Sequence, residues 1–180
     1  MQIFNFHLQT HIKGPAEAIF TMLIDHEGYR FFPGFTSSNL IKPGLKHRDG
    51  VGAIRAGRFR GTYVVEEILD CDPPFRIEYR TIKCTIPLDH DRGIIDITPN
   101  GDGCDVSWRT SFGVKVPVVG DLIGRLCEKS LDRTIKNILL HVKREVERTQ
   151  VTLELARSNR SSNVTAFTSE AQSNGVEQPA

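Results

Sequence analysis

The sequence predicts an α+β fold, a curved antiparallel sheet of about seven strands laid against one long C-terminal helix, with one or two short helices after the first strand. Three observations predict it. Residues 117–155 carry one long helical pattern, residues 3–12 alternate cleanly as an opening strand, and most of what lies between reads as strands joined by turn signals. A long helix across a curved sheet leaves a cleft, and such clefts suit apolar small molecules.

In the opening strand Phe4, Phe6, Leu8 and Ile12 fall on one side and Asn5, His7, Gln9 and His11 on the other, the pattern of a half-buried strand. Lys13-Gly14-Pro15 ends it. Pro15 suits a first helical turn, and Ala16, Ile19, Phe20 and Leu23 follow at i, i+3, i+4, i+7 spacing, so a short amphipathic helix runs to about Asp25. The aromatic-rich residues 26–33, closed by the Pro33-Gly34 turn, are expected to cover one end of the sheet.

Strands follow at about residues 36–42, 51–58 and 61–70, the last stopped by Cys71-Asp72-Pro73-Pro74. In residues 75–84, Phe75, Ile77 and Tyr79 face one way and Arg76, Glu78 and Arg80 the other. Pro87 and the charged run 89–92 separate that strand from residues 93–98. Pro99-Asn100-Gly101-Asp102-Gly103 is a hairpin turn, because Asn and Gly supply the positive φ values it needs. The returning strand, residues 105–116, sends Val106, Trp108, Thr110, Phe112 and Val114 to one side. Pro117 then starts the long helix, whose apolar stripe is Val119, Leu122, Ile123, Leu126, Ile135, Ile138, Leu139, Val142 and Val146.

Composition narrows the partners. Of 180 residues 39% are hydrophobic and 25% charged, and 23 Lys and Arg stand against 22 Asp and Glu, so no overall field would gather nucleic acid. The basic stretch Lys42, Lys46, His47, Arg48, Arg55, Arg58 and Arg60 is interleaved with glycines and reads as charged hairpin loops. No apolar run approaches the roughly 18 residues of a membrane span, and no basic-then-apolar leader opens the chain, so a soluble cytoplasmic protein is expected. Cys71, Cys84, Cys104 and Cys127 include no C-x-x-C pair, which predicts free packing cysteines in a reducing compartment and neither metal nor cofactor. Asp89-His90-Asp91 sets carboxylates beside a histidine, but neighbours on a loop point apart, and packing or surface roles are the default for every histidine. From Ala156 to Ala180 the chain turns rich in Ser, Asn, Thr, Gln and Glu with Phe167 as its one aromatic, so a folded domain at 1–155 and a disordered tail at 156–180 are expected.

The element order and several stretches resemble the START and Bet v 1-related (SRPBCC) helix-grip superfamily, most closely its polyketide cyclase/dehydrase and lipid transport branch. The stretches are Gly14-Pro15-Ala16-Glu17-Ala18-Ile19-Phe20, Asp49-Gly50-Val51-Gly52-Ala53-Ile54-Arg55, the run from Glu66 through Pro73-Pro74 to Arg80, the turn at residues 98–104, and Val106-Ser107-Trp108. The resemblance implies a seven-stranded sheet wrapped around the C-terminal helix and a pocket for lipids, sterols, polyketides or quinones. No catalytic motif is shared across that superfamily, so no catalytic role transfers by position.

The site residues therefore come from their expected facing. Phe6, Tyr63, Tyr79, Trp108, Phe112, Leu126 and Ile135 are expected to wall a ligand cavity, with polar tips on Tyr63, Tyr79 and Trp108. Arg55 shares a register with Val51 and Ala53 that could turn it inward, where it would need a carboxylate or an anionic ligand group; outward and solvated is the default reading. Glu66 and Glu67 lie on opposite faces of one strand, so one of them points to the helix side, and Glu66 beside Arg55 would form a pocket ion pair and the first candidate for acid–base work. The expected function is binding of a hydrophobic or amphipathic small molecule. The alternatives are a cyclase or dehydratase using the same cavity, and a quinone chaperone or ribosome-interacting module.

Overall fold

The computed structural model describes residues 2–116 and 120–173. Its elements are β1 (Ile3–Ile12), α1 (Ala16–Ile24), a short 3-10 helix (Glu27–Phe31), β2 (Phe35–Lys42), β3 (Ile54–Phe59), β4 (Thr62–Asp72), β5 (Arg76–Cys84), β6 (Leu88–Asn100), β7 (Gly103–Val114) and α2 (Gly120–Ser173). The strands form one seven-stranded sheet in the order β1-β7-β6-β5-β4-β3-β2, with every described pairing antiparallel. This is the helix-grip α+β arrangement that the pattern of strands and helices predicts.

Tight turns make the meander possible. Arg60 and Gly61 both take positive φ, at 45° and 86°, so two residues suffice to reverse the chain from β3 to β4. Gly101, at φ 59°, does the same between β6 and β7. The segment from α1 to the 3-10 helix carries the chain from one edge strand, β1, to the other, β2. As expected it covers one end of the sheet: Tyr29 and Phe32 are buried with ring centroids 4.7 Å apart, and Phe32 meets the His141 ring of α2 at 4.3 Å.

The concave face and α2 share one core. Ile12, Ile19, Leu23, Ile68, Ile77, Ile95, Ile97, Val106, Ile135 and Val142 are its most deeply buried side chains. The charged side of β5 faces outward, where Arg76 pairs with Asp96 and Arg80 with Glu67. The four cysteines are free, with Cys104 buried and the others half-buried.

Two expectations are corrected. Leu122 and Leu126 belong to no buried stripe: they are 63% and 61% exposed, while Gly124 is buried and Ile123, Cys127 and Leu131 pack on Phe4, Phe112 and Val114. Apolar residues occupy both edges of that part of the helix, so spacing alone does not select the seam. The charged run at 89–92 is not a separator, because β6 continues through it with a register shift between His90 and Gly93. α2 is described as far as Ser173, and no Gly or Pro stands between Gly124 and that residue. Pro117 and Val119, predicted at the start of the helix, lie outside the described residues, as do residues 174–180.

α2 is held at both ends of the sheet. Near its start, a Cβ on Gly124 would lie 2.1 Å from Cε2 of Phe4, whose ring stacks on Phe112 at 5.4 Å. Further along, Lys143 Nζ donates to the carbonyl of His11 at 2.9 Å, and Glu147 accepts the Lys13 N–H at 3.2 Å. Replacing Gly124 by Leu should therefore overpack the contact and destabilise the fold by about 1–3 kcal/mol, read from thermal melting. Every residue from Val151 to Ser158 is exposed. Truncation after Leu155 should accordingly change stability by less than about 0.5 kcal/mol in denaturant unfolding, and a larger loss would show that the distal helix packs on the domain.

Candidate functional site

The concave face and α2 do not close on each other. Between them lies a cavity of about 190 Å³. Alternation brings its floor together: Arg55 and Gly57 from β3, Val64 and Glu66 from β4, Tyr79 and Thr81 from β5, and Trp108, Thr110 and Phe112 from β7. α2 supplies the roof with Leu131, Thr134, Ile135 and Ile138, four residues within two turns of one face. One end is buried against His26 and Tyr29; the other is half-exposed among Cys84, Ile86, Leu88 and Cys127.

The buried end carries the charge. Arg55, only 3% exposed, points inward, and its Nε donates to Oε2 of Glu66 at 3.1 Å, the pocket ion pair that the register allows. Its Cζ lies 5.5 Å from the centre of the Tyr79 ring. Nη1 of Arg55 is buried with no hydrogen-bond partner among the described residues, and so are both ring nitrogens of His26, which is 5% exposed. Burial, aided by the nearby Arg55 charge, pushes the His26 pKa well below its ordinary value, so the imidazole is neutral. Gly57 opens space in front of it, since a Cβ there would stand 3.5 Å from Nε2 of His26.

Midway along the floor the polar groups are satisfied and hold the aromatic walls. Trp108 Nε1 donates to the Tyr79 hydroxyl at 2.9 Å, and burial raises the Tyr79 pKa, so the phenol stays protonated. The Tyr79 ring lies against Gly93, where a Cβ would come within 2.2 Å of it; only glycine fits there. His90 Nδ1 accepts the Thr81 backbone N–H at 2.9 Å, which places the proton of a neutral ring on Nε2, 2.7 Å from Oγ1 of Thr110. Among the described residues no group of three His, Cys, Asp or Glu side chains is gathered to hold a metal. No helix among them is long and apolar enough to cross a membrane.

Of the residues singled out from the sequence, Arg55, Glu66, Tyr79, Trp108, Phe112 and Ile135 meet on the cavity wall. Three do not. Phe6 is buried in the same core but stands off the wall. Tyr63 is on the opposite side of β4 from Val64 and Glu66, under the Arg58 guanidinium at 5.5 Å, because both faces of that strand carry apolar residues and the alternation does not say which is inner. Leu126, on the exposed edge of α2, lies near Arg60 and Lys129 instead.

His26, which the sequence did not single out, and His90, which was set aside as a loop residue, both line the cavity. His26 sits in the aperiodic aromatic stretch, where its three-residue spacing from Tyr29 is the only signal. His90 hides inside a charged run that a register shift keeps in the strand. The basic stretch around β3 does not form one open patch, since Arg55 is interior and Arg48 pairs with Glu27 and Asp49.

Comparison with known proteins agrees with the fold. The sequence model of the polyketide cyclase/dehydrase and lipid transport family matches residues 4–147. No curated protein is similar enough in sequence to count as a relative. Among solved structures, an aromatase/cyclase from Streptomyces sp. R1128 superposes with a TM-score of 0.70 at 17% identity, covering 82% of this chain and 95% of its own. A START superfamily protein from Mycobacterium smegmatis gives 0.65 at 15% identity, with 81% and 98% covered. Norcoclaurine synthase from Thalictrum flavum, solved with dopamine and hydroxybenzaldehyde, gives 0.56 at 18% identity, with 76% and 84% covered. At such identities the structural likeness speaks for the fold. With the family model matching most of its length and the helix-grip architecture in place, the chain belongs to the polyketide cyclase/dehydrase and lipid transport family.

Proposed function

We propose that the protein binds a small, largely apolar molecule between α2 and the sheet, with the polar end of the ligand against Arg55. The observation that carries this reading is Nη1 of Arg55, a buried donor on a charged group that no described protein atom satisfies. Such a group costs on the order of 1–3 kcal/mol if it stays unmet, and Glu66 takes only the Nε side. A ligand oxygen would meet it, while the aromatic and aliphatic walls supply the affinity. Lipids, quinones and polyketide-like compounds share that plan, and the family match supports it.

A second reading, cyclase or dehydratase chemistry, is favoured by one observation: a neutral His26 and a guanidinium share the buried end of the cavity. In that reaction His26 takes a proton from the carbon next to a ligand carbonyl, and the electron pair moves onto the oxygen held by Arg55. As that pair returns to form a carbon–carbon double bond, the bond to a hydroxyl on the next carbon breaks, and His26 passes its proton to the leaving hydroxide to give water.

Trp108 is the only tryptophan and lies on the wall, so its fluorescence reports occupancy. A panel of lipids, quinones and aromatic polyketides should include one that shifts this emission and raises stability by about 2.7 kcal/mol at about 100 times Kd. Thr134→Phe, which fills the cavity from the roof, should abolish both effects. A panel that moves neither signal would remove the binding reading.

The depressed His26 pKa has a sign that can be measured. As pH falls below the ordinary 6.5, the unfolded chain takes up a proton that the folded chain refuses, so stability is lost on acidification from there down to the folded-state value. His26→Phe should flatten that acid limb in a melting series from about pH 8 to about pH 4. An unchanged limb would show that His26 is not held neutral.

A further inference from the structure

We infer that the cavity takes a neutral, single-ring hydroxy-carbonyl compound, a benzene-sized ring bearing a carbonyl and a hydroxyl group, whose oxygens are read by Arg55 and His26. The inference rests on the binding function proposed above and narrows it to one chemical class. Size sets the first limit. An apolar cavity of roughly 150 Å³ holds one benzene ring, and this one measures about 190 Å³, which leaves room for a few further heavy atoms. A sterol, a fused polyketide or a long acyl chain needs the roughly 300–1,000 Å³ of larger ligand pockets and could enter here only by leaving most of itself outside the half-exposed end.

Charge sets the second limit. The side chains of Arg55 and Glu66 are 4% and 19% exposed, and together they sum to zero. A carboxylate or phosphate would therefore bring an uncompensated negative charge into a buried place. His26 does not offset it, because burial and Arg55 keep the imidazole neutral.

The pattern of donors and acceptors sets the third. Arg55 Nη1 can only donate, whereas neutral His26 presents one donor nitrogen and one acceptor, and all three atoms lack a partner among the described residues. A carbonyl oxygen satisfies the first. A hydroxyl, which both gives and accepts, suits the second. A hydrocarbon would leave all three unmet.

The three isomeric hydroxyacetophenones, ethylbenzene, benzoate and 6-acetyl-2-naphthol, titrated into the full-length protein by calorimetry and Trp108 fluorescence, test the inference. At least one hydroxyacetophenone should bind about tenfold or more tightly than ethylbenzene, with benzoate and the two-ring naphthol weaker than that isomer. His26→Phe, which keeps a ring beside Tyr29, should erase the advantage of the best hydroxyacetophenone over ethylbenzene. Arg55→Lys, which keeps the charge facing Glu66 without the guanidinium fork, gives the same readout should His26→Phe fail to fold. The inference is overturned if ethylbenzene or benzoate matches the best isomer, if the naphthol binds more tightly, or if the variants change nothing. It is also overturned if these probes do not bind while lipids or larger quinones do, a result that leaves the binding function standing. If neither set binds, the binding function itself falls.

Discussion

A helix is a rod and the sheet is cupped, so the two can touch along the whole length only if side chains fill the difference. Here the helix is fixed at two ends, with Ile135, Ile138 and Leu139 buried in the shared core between them. At one, Gly124 lets the helix backbone settle onto Phe4; at the other, Val142 and Val146 bury while Lys143 and Glu147 reach the end of β1. Between these clamps the roof residues Leu131, Thr134, Ile135 and Ile138 stand over a floor of Arg55, Tyr79 and Trp108 without filling it. The cavity is thus a consequence of the packing geometry, and every feature of the site depends on that arrangement.

What distinguishes this interior from an ordinary core is where its polar atoms are left. Trp108, Tyr79, His90, Thr81 and Thr110 satisfy one another and fix the wall in one conformation. Arg55 and His26 do the opposite, retaining unmet atoms at the end farthest from solvent. A buried guanidinium is tolerable only with a carboxylate beside it, which Glu66 provides at the adjacent position of β4. The pair is therefore the means by which a positive donor can exist in an apolar cavity at all. Burial, with the Arg55 charge adding to it, keeps the histidine beside the pair neutral.

The fold was legible because its signals are local. Alternation in β1, β5 and β7 and the Asn100-Gly101 turn depend only on neighbours in sequence, and they produce the strands and reversal expected of them. The site was legible in part for the same reason: Tyr79, Trp108 and Phe112 sit on the apolar side of strands whose other side is charged or polar. Tyr63 and Leu126 were misplaced where two neighbouring faces are both apolar, and the tie is broken by which face the rest of the fold covers. His26 was missed because an aperiodic turn erases the period that facing arguments use, and His90 was set aside because its charged run reads as a loop where β6 in fact continues through a register shift.

The residues by themselves determine the element order, the antiparallel meander, the single long helix and the existence of a greasy face on each, since these follow from backbone preference and short-range pattern. Tertiary structure alone decides that the faces stop short of each other, that Arg55 turns inward to Glu66, and that His26, from a loop outside the sheet, joins them. Those facts depend on distances between segments far apart in sequence, and a one-dimensional pattern contains no such distances.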